Sequence, residues 1–391
     1  MFWIRRLYKD IIEKKQEIGP IRDITAQKRK IPSIEKLKFQ EAPFMNAEAF
    51  AIGPNGDIYI AQFDNPLTKI TDITDETAKD EGINWDRDTY GRPVHMAVFK
   101  SGIVIASYYD SGTNVGIRIW HLDDINDTPT EVYTHENDAL TLTSSFGFSV
   151  LDNGMSELVL MGEYGSDAVE RNLVFSDDGG QTFTTVETSV IENAAHNSHW
   201  HDVEIDPYSG TLWASQGDRD NARIIYSKDL GDNWNQIPET LPFDTLRQPT
   251  TVTAFPERII FGRDSDELNP GFDYIDRPKN DEEWDLSVDN IETLMEYSVH
   301  EQANNLYVRR LAKFGLEAYM TSGADTSVQP VHFFGTSDGG LSVHTVTWSI
   351  GGTADEIVRG CFGIDDTYIY GYGSGAGAGS SIIYAEKPEW I

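Results

Sequence analysis

The densest group of chemically versatile side chains is the run HNSHWHD, residues 196–202. His199 and His201 stand two apart, so on an extended chain they share one face, with His196 close by. The hairpin that starts there returns to Asp218 and Asp220. Imidazoles beside carboxylates bind a divalent metal ion or form a polar recognition site; histidines simply hydrogen-bonded in a loop near an axis are the plainer alternative. The spacing leaves all three open.

What positions these side chains is a repeat. Strand–turn–strand pairs open at AFAIGPNGDIYIAQFD (49–64), HMAVFKSGIVIASYYD (95–110) and HDVEIDPYSGTLWASQGD (201–218), with weaker copies at 145–165, 251–264, 307–325 and 357–375. The period is close to fifty residues. Third strands follow, as in VGIRIWHL (115–122), RNLVFSD (171–177), ARIIYSKD (222–229) and SSIIYAE (380–386), and a fourth in the earlier copies. Seven four-stranded antiparallel sheets in series describe an all-β, seven-bladed β-propeller. Six blades, or a pair of β-sandwiches, are the alternatives. The last repeat runs out after its third strand, so IEKLKFQ (34–40), which alternates apolar and charged residues, is expected to close that blade beside SSIIYAE. The domain expectation is an arm over 1–33 and a propeller over 34–391.

The loops equivalent to Asp218 and Asp220 in the other repeats hold Tyr108, Tyr109, Asp110, Glu163, Tyr164 and Asp264. In a propeller these loops share one face with the connections between blades. That face should be acidic with exposed aromatics, which suits sugar hydroxyls, cations or a basic protein partner, and equally a merely solvated surface.

The turn between third and fourth strands carries a recurring pattern: SDDGGQTF (176–183), SKDLGDNW (227–234) and, less well kept, TSDGGLSV (336–343). Its elements are Ser176, Asp178, Gly180 and Phe183, then Ser227, Asp229, Gly231 and Trp234, then Asp338 and Gly340. A carboxylate here can accept amides of its own hairpin, the glycine permits positive φ, and the aromatic can insert between sheets. The oxygen spacing of a calcium loop is missing. The pattern resembles the Asp box of the BNR-repeat, sialidase-like β-propellers. The resemblance implies that these turns are structural and lie away from the usual binding face.

A sialidase in that superfamily would further carry an arginine triad, a Tyr/Glu nucleophile pair and an Asp acid/base. The nearest match to its N-terminal Arg-Ile-Pro motif is KIPS (30–33), where Lys30 lacks the bidentate fork that Arg offers a carboxylate. No motif selects three of the thirteen arginines beyond residue 38, and none selects a carboxylate pair. No catalytic residue is therefore assigned, and a glycoside hydrolase is the alternative reading. No cofactor motif is present; a divalent cation at the histidine loop stays open.

The chain carries 64 acidic against 31 basic residues, a net charge of -33, in 391 residues with a single Cys. Residues 1–38 hold eleven basic and five acidic side chains, so the rest carries -39. Such a body repels phosphates, which argues against nucleic acid as its partner; it suits work in high salt and, equally, an ordinary acidic soluble protein. One cysteine excludes a disulfide framework. No apolar run reaches membrane-spanning length, and charge interrupts the start where an export signal would be apolar.

Residues 2–18 read as a basic amphipathic helix with Trp3, Ile4, Leu7 and Ile11 on one side, stopped at Gly19-Pro20. Docking to an assembly, packing on its own propeller and lying on a membrane are the three uses open to it. A sugar-binding type of propeller with an anchoring arm, no export signal and no disulfides fits a virion surface protein, a head or tail decoration. The expectation is a non-enzymatic propeller recognising a host-surface glycan or glycoprotein. It would be held through residues 1–20 in a symmetric homo-oligomeric array on the virion. A cytoplasmic scaffold propeller with a protein partner is the further alternative.

Overall fold

Strand Ile103–Tyr109 shows how the sequence pattern becomes architecture. Successive side chains of a strand point to opposite faces. Ile103 and Ile105 accordingly enter one apolar cluster with Ala49, Leu67 and Trp85, whereas Val104 and Ala106 enter another with Val159, Met161 and Val174. Strand Glu157–Gly162 divides in the same way: Val159 and Met161 face back, Leu158 and Leu160 face forward to Trp200 and Val203. These two sheets are thus apolar on both faces and are covered by their neighbours, at roughly 1.5–3 kcal/mol for each large aliphatic side chain fully buried.

The computed structural model describes residues 37–41 and 47–388 apart from several segments, the longest being 237–247, 265–270, 279–290, 297–305, 325–332, 351–356 and 375–380. The described strands form seven sheets: six of four strands in sequential order and one of five. The four that matter most below are Ala49–Ile52 to Lys79–Trp85, Arg92–Val98 to Thr130–His135, Phe148–Asp152 to Thr184–Thr188, and Trp200–Ile205 to Asn235–Gln236. First strands of neighbouring sheets adjoin, and Ile357–Ile364 of the last lies against Ala49–Ile52 of the first, which closes the ring of a β-propeller.

In the seventh sheet, Leu37–Glu41 pairs antiparallel with Ser381–Glu386, Gln40 opposite Tyr384 and Glu41 opposite Ile383. Residues 34–36 and the whole arm, with Trp3, Ile4, Leu7 and Ile11, lie outside the described residues. This sheet departs from the expected four strands. Trp348–Ile350, coming off the sixth sheet, pairs parallel to Leu37–Glu41 and covers an edge that would otherwise present unpaired backbone groups. A short helix, Arg87–Tyr90, which the sequence pattern did not announce, sits between the first two sheets with Asp86 as its N-cap.

The three Asp turns share one hydrogen-bond scheme. Ser176 Oγ donates to Asp178 Oδ1 (2.8 Å) and accepts from Gly180 N (2.9 Å), while Thr182 N reaches Asp178 Oδ1 at 3.0 Å and Thr182 Oγ1 reaches Oδ2 at 2.6 Å. Asp229 repeats this with Ser227 and Asn233, and Asp338 with Thr336 and Ser342. Gly180 has φ +83°, and a Cβ there would lie 2.1 Å from Val104 Cγ2 of the preceding sheet. Phe183 and Trp234 pack on the inter-sheet clusters, and Trp234 Nε1 donates to Val186 O at 2.9 Å. These turns pack the third, fourth and sixth sheets against the sheets before them.

Candidate functional site

The fourth sheet begins with an irregularity that aims its histidines. Trp200 pairs with Gln216 and Asp202 with Ser215, so His201 is the extra residue of a β-bulge. A bulge re-aims a side chain that simple alternation would send elsewhere. His199, just before the strand, and His201 then meet at their Nε2 atoms, 2.7 Å apart. Asp218 comes from the loop after Leu212–Gln216, where Gly217 adopts φ +72° and a Cβ would strike Asn221 O at 2.3 Å. Its Oδ1 lies 3.2 Å from His201 Nε2 and 3.7 Å from His199 Nε2.

The surroundings hold this trio in place. His199 Nδ1 faces Gly165 O of the third sheet at 2.9 Å, and His201 Nδ1 faces Pro249 O of the fifth at 2.9 Å. Asn197 Nδ2 donates to Asp218 Oδ2 at 2.8 Å, and Asn221 Nδ2 clasps His196 O (2.7 Å) and Asn197 O (3.2 Å). The Tyr164 ring stacks on His199 with centroids 4.0 Å apart. Both imidazoles are buried, while the Asp218 side chain keeps 25% of its surface.

Burial pushes the His199 imidazole down to about 3, and the charge of His201 beside it adds to the effect. For Asp218, burial works upward but is outweighed by the hydrogen bond and charge of His201, then by His199 and Asn197, which hold the carboxyl well below the usual carboxylate range. Asp218 is therefore an anion and His199 a neutral imidazole at pH 7.

The structure brings His199, His201, Asp218 and Tyr164 together, with His196 and Asp220 as a neighbouring pair, Nδ1 to Oδ2 3.4 Å. It places the remaining candidates elsewhere. Glu163 is fully buried, and its carboxylate meets Tyr133 OH (2.8 Å), His135 Nδ1 (2.8 and 2.9 Å) and Asn172 N (2.7 Å). Tyr109 is buried, with its OH donating to Thr89 O and Arg118 4.8 Å from its ring. Tyr108 belongs to a group between the first and second sheets. Arg92 lies 6.0 Å from the Tyr108 ring and 6.0 Å from that of Phe63, Arg87 lies 5.2 Å from Phe63, and Arg92 Nε pairs with Glu48 at 2.8 Å. Asp110 lies outside the described residues, and Asp264 is described only as the strand partner of Gln248.

Sequence reasoning missed Phe63, Arg87 and Arg92. Phe63 directly precedes Asp64 in the second–third strand loop of the first repeat, and that position was the available signal. On the opposite face a cleft of about 420 Å³ is lined by Tyr59, Lys69, Asp80, Glu81, Asp123 and Asp124 among others. Its one lysine is paired with Asp57 at 3.0 Å.

No family model and no curated protein matches the chain. Among solved structures, it superposes on the GH74 xyloglucanase of Xanthomonas campestris with a TM-score of 0.54 at 11% identity, over 90% of this chain and 54% of the other. The chain therefore spans about half the length of that enzyme. It superposes on YCF48 bound to D1 peptide with a TM-score of 0.53 at 11% identity, over 93% and 100% of the two chains. The likeness is one of fold. The chain is a β-propeller.

Proposed function

We propose that this chain is an Asp-box propeller that recognises a glycan or glycoprotein, without hydrolysing it, on the face built from its second–third strand loops. The observation that carries the reading is the Phe63–Arg92–Tyr108 group. Two half-buried rings flank a guanidinium whose side chain is 43% exposed and which Glu48 holds in place. Aromatic faces offer apolar contact to the C–H side of a sugar ring, and the fixed guanidinium and carboxylate offer directed hydrogen bonds to its hydroxyls or acidic substituents. Asp202 and Glu204, buried on the fourth sheet, accept the Val252 and Ala254 amides (3.0 and 3.2 Å), a structural use of both carboxylates.

Placement on a virion surface through residues 1–20 belongs to the same proposal. Its support is the sequence of the arm: a basic surplus opposed to the acidic body and an apolar Trp3/Ile4/Leu7/Ile11 stripe. The deciding experiment is a glycan-array screen followed by titration of the best ligand. Arg92→Ala and Tyr108→Ala are expected to weaken binding about tenfold or more each, at roughly 1.4 kcal/mol per decade. Ligand binding unaffected by both substitutions, or turnover of the bound glycan, overturns the reading.

A further inference from the structure

We infer that His199, His201 and Asp218 form a binding site for one divalent transition-metal ion of the zinc class, with two imidazole nitrogens and one carboxylate oxygen as ligands. The inference is independent of the Phe63–Arg92–Tyr108 group and uses none of its residues.

The argument starts from hydrogen-bond direction. A backbone carbonyl can only accept, so the Nδ1 atoms that face Gly165 O and Pro249 O at 2.9 Å both carry hydrogen. In a neutral imidazole the other nitrogen is then a bare lone pair. The two Nε2 atoms and a carboxylate oxygen converge, with separations of 2.7, 3.2 and 3.7 Å. Three electron-pair donors this close are stabilised by positive charge between them. A proton on His201 can bridge to one neighbour at a time; a dication at their centre meets all three.

The spacing fits that second arrangement. With metal–ligand bonds of about 2.0–2.1 Å at tetrahedral angles, donor atoms stand about 3.3–3.4 Å apart. The two contacts to Asp218 bracket this value, and the histidine pair needs to open by about 0.6 Å to reach it. The outer contacts are also those of a metal centre: each histidine donates its second nitrogen to a carbonyl, and Asn197 holds Asp218 Oδ2 so that Oδ1 turns inward. Two imidazoles and one carboxylate select zinc, cobalt, nickel, manganese or iron over calcium and magnesium, which prefer all-oxygen shells. Three protein ligands leave a fourth position, and the partly exposed Asp218 marks the side from which water or a ligand oxygen reaches it.

The test uses the full chain, dialysed against chelator and then titrated with Zn²⁺ and Co²⁺, with metal content and the visible spectrum of the cobalt form as readouts. The expected result is one equivalent bound, a cobalt spectrum of four- or five-coordinate type, and no displacement by excess Ca²⁺ or Mg²⁺. Asp218→Ala is expected to abolish binding, and Asn197→Ala to weaken it about 10–100-fold through the outer shell. If Asp218→Ala does not fold, the wild-type cobalt spectrum and Asn197→Ala decide. Substoichiometric binding by the wild type, a six-coordinate cobalt spectrum, displacement by Ca²⁺, or affinity indifferent to both substitutions overturns the inference and leaves a proton shared among the three groups.

Discussion

Glu163 and Asp218 follow the second strands of neighbouring sheets, and each has histidine within 3.2 Å, yet the two carboxylates live in opposite chemical surroundings. Around Glu163 the contacts are donors: a tyrosine hydroxyl, a backbone amide and His135 Nδ1. Around Asp218 the two histidines present Nε2, because their Nδ1 atoms are spent on carbonyls of the adjacent sheets. Which nitrogen is tied down decides the outcome. His135 completes a closed network, whereas the Nε2 atoms of His199 and His201 are turned to each other and to Asp218. The two carboxylates hold equivalent places in the repeat; the histidines do not, since His135 ends the fourth strand of the second sheet and His201 lies in the first strand of the fourth, and the backbone facing each ring differs as well.

The sharpest way to break this comparison is to remove each carboxylate. Glu163→Ala strands Tyr133, His135 and the Asn172 amide in a buried setting, and an expected loss of about 3 kcal/mol follows from removing one partner of a buried, hydrogen-bonded pair. Asp218→Ala removes a quarter-exposed carboxylate that accepts from Asn197 and His201 and should cost less, about 1–2 kcal/mol. Urea unfolding of both variants in chelator reads the difference. Equal costs would show that the two clusters are held by the same kind of interaction.

A pH series sharpens it next. The hydrogen bond from His135 to Glu163 raises the imidazole above its usual 6.5, despite burial acting the other way. Its contribution is therefore fully present below pH 6.5 and lost as pH rises through the raised value. His95, buried and stacked on Phe148 at 4.9 Å, is pushed down to about 3 by burial. The stability it permits is present above pH 6.5 and is lost as pH falls towards 3, at about 2 kcal/mol by pH 5. His95→Phe should flatten the acid limb of stability against pH, and Glu163→Gln the alkaline limb. An acid limb unchanged in His95→Phe would mean that other groups set it.

The strands, their period and the Asp turns were legible because each is written within a few consecutive residues: the alternation in IVIASYY, or the Ser176–Asp178–Gly180–Thr182 bonds inside one hairpin. The His199/His201 pair was legible from spacing, and Asp218 from its equivalent place in the repeat. What was not legible comes from other sheets. Gly165 and Pro249, which fix the two tautomers, lie 34 residues before His199 and 48 after His201, and the contacts that close around Glu163 come from 133, 135 and 172. The Arg92–Phe63 contact likewise joins two sheets. Composition marked that face as acidic and aromatic but carried no information on which arginine would lie against which ring.

The smallest expected effect concerns His196, the third histidine of the loop, and it separates a three-ligand site from a whole-loop site. Its imidazole lies 3.4 Å from Asp220, whose side chain is 57% exposed, and pairs of that kind contribute little in water. The position of the loop depends on the backbone, through Asn221 Nδ2 to His196 O, and that bond survives side-chain removal. His196→Ala should therefore change stability by less than about 0.5 kcal/mol. It should also leave the stoichiometry of cobalt binding and the shape of its spectrum as in the wild type, since the converging donor atoms belong to His199, His201 and Asp218. If the variant instead loses the ion or shifts the spectrum, His196 is the fourth ligand. The centre would then be a closed structural site with no position left for an outside oxygen, and the contrast with Glu163 would be between two structural clusters, one closed by donors and one closed by metal.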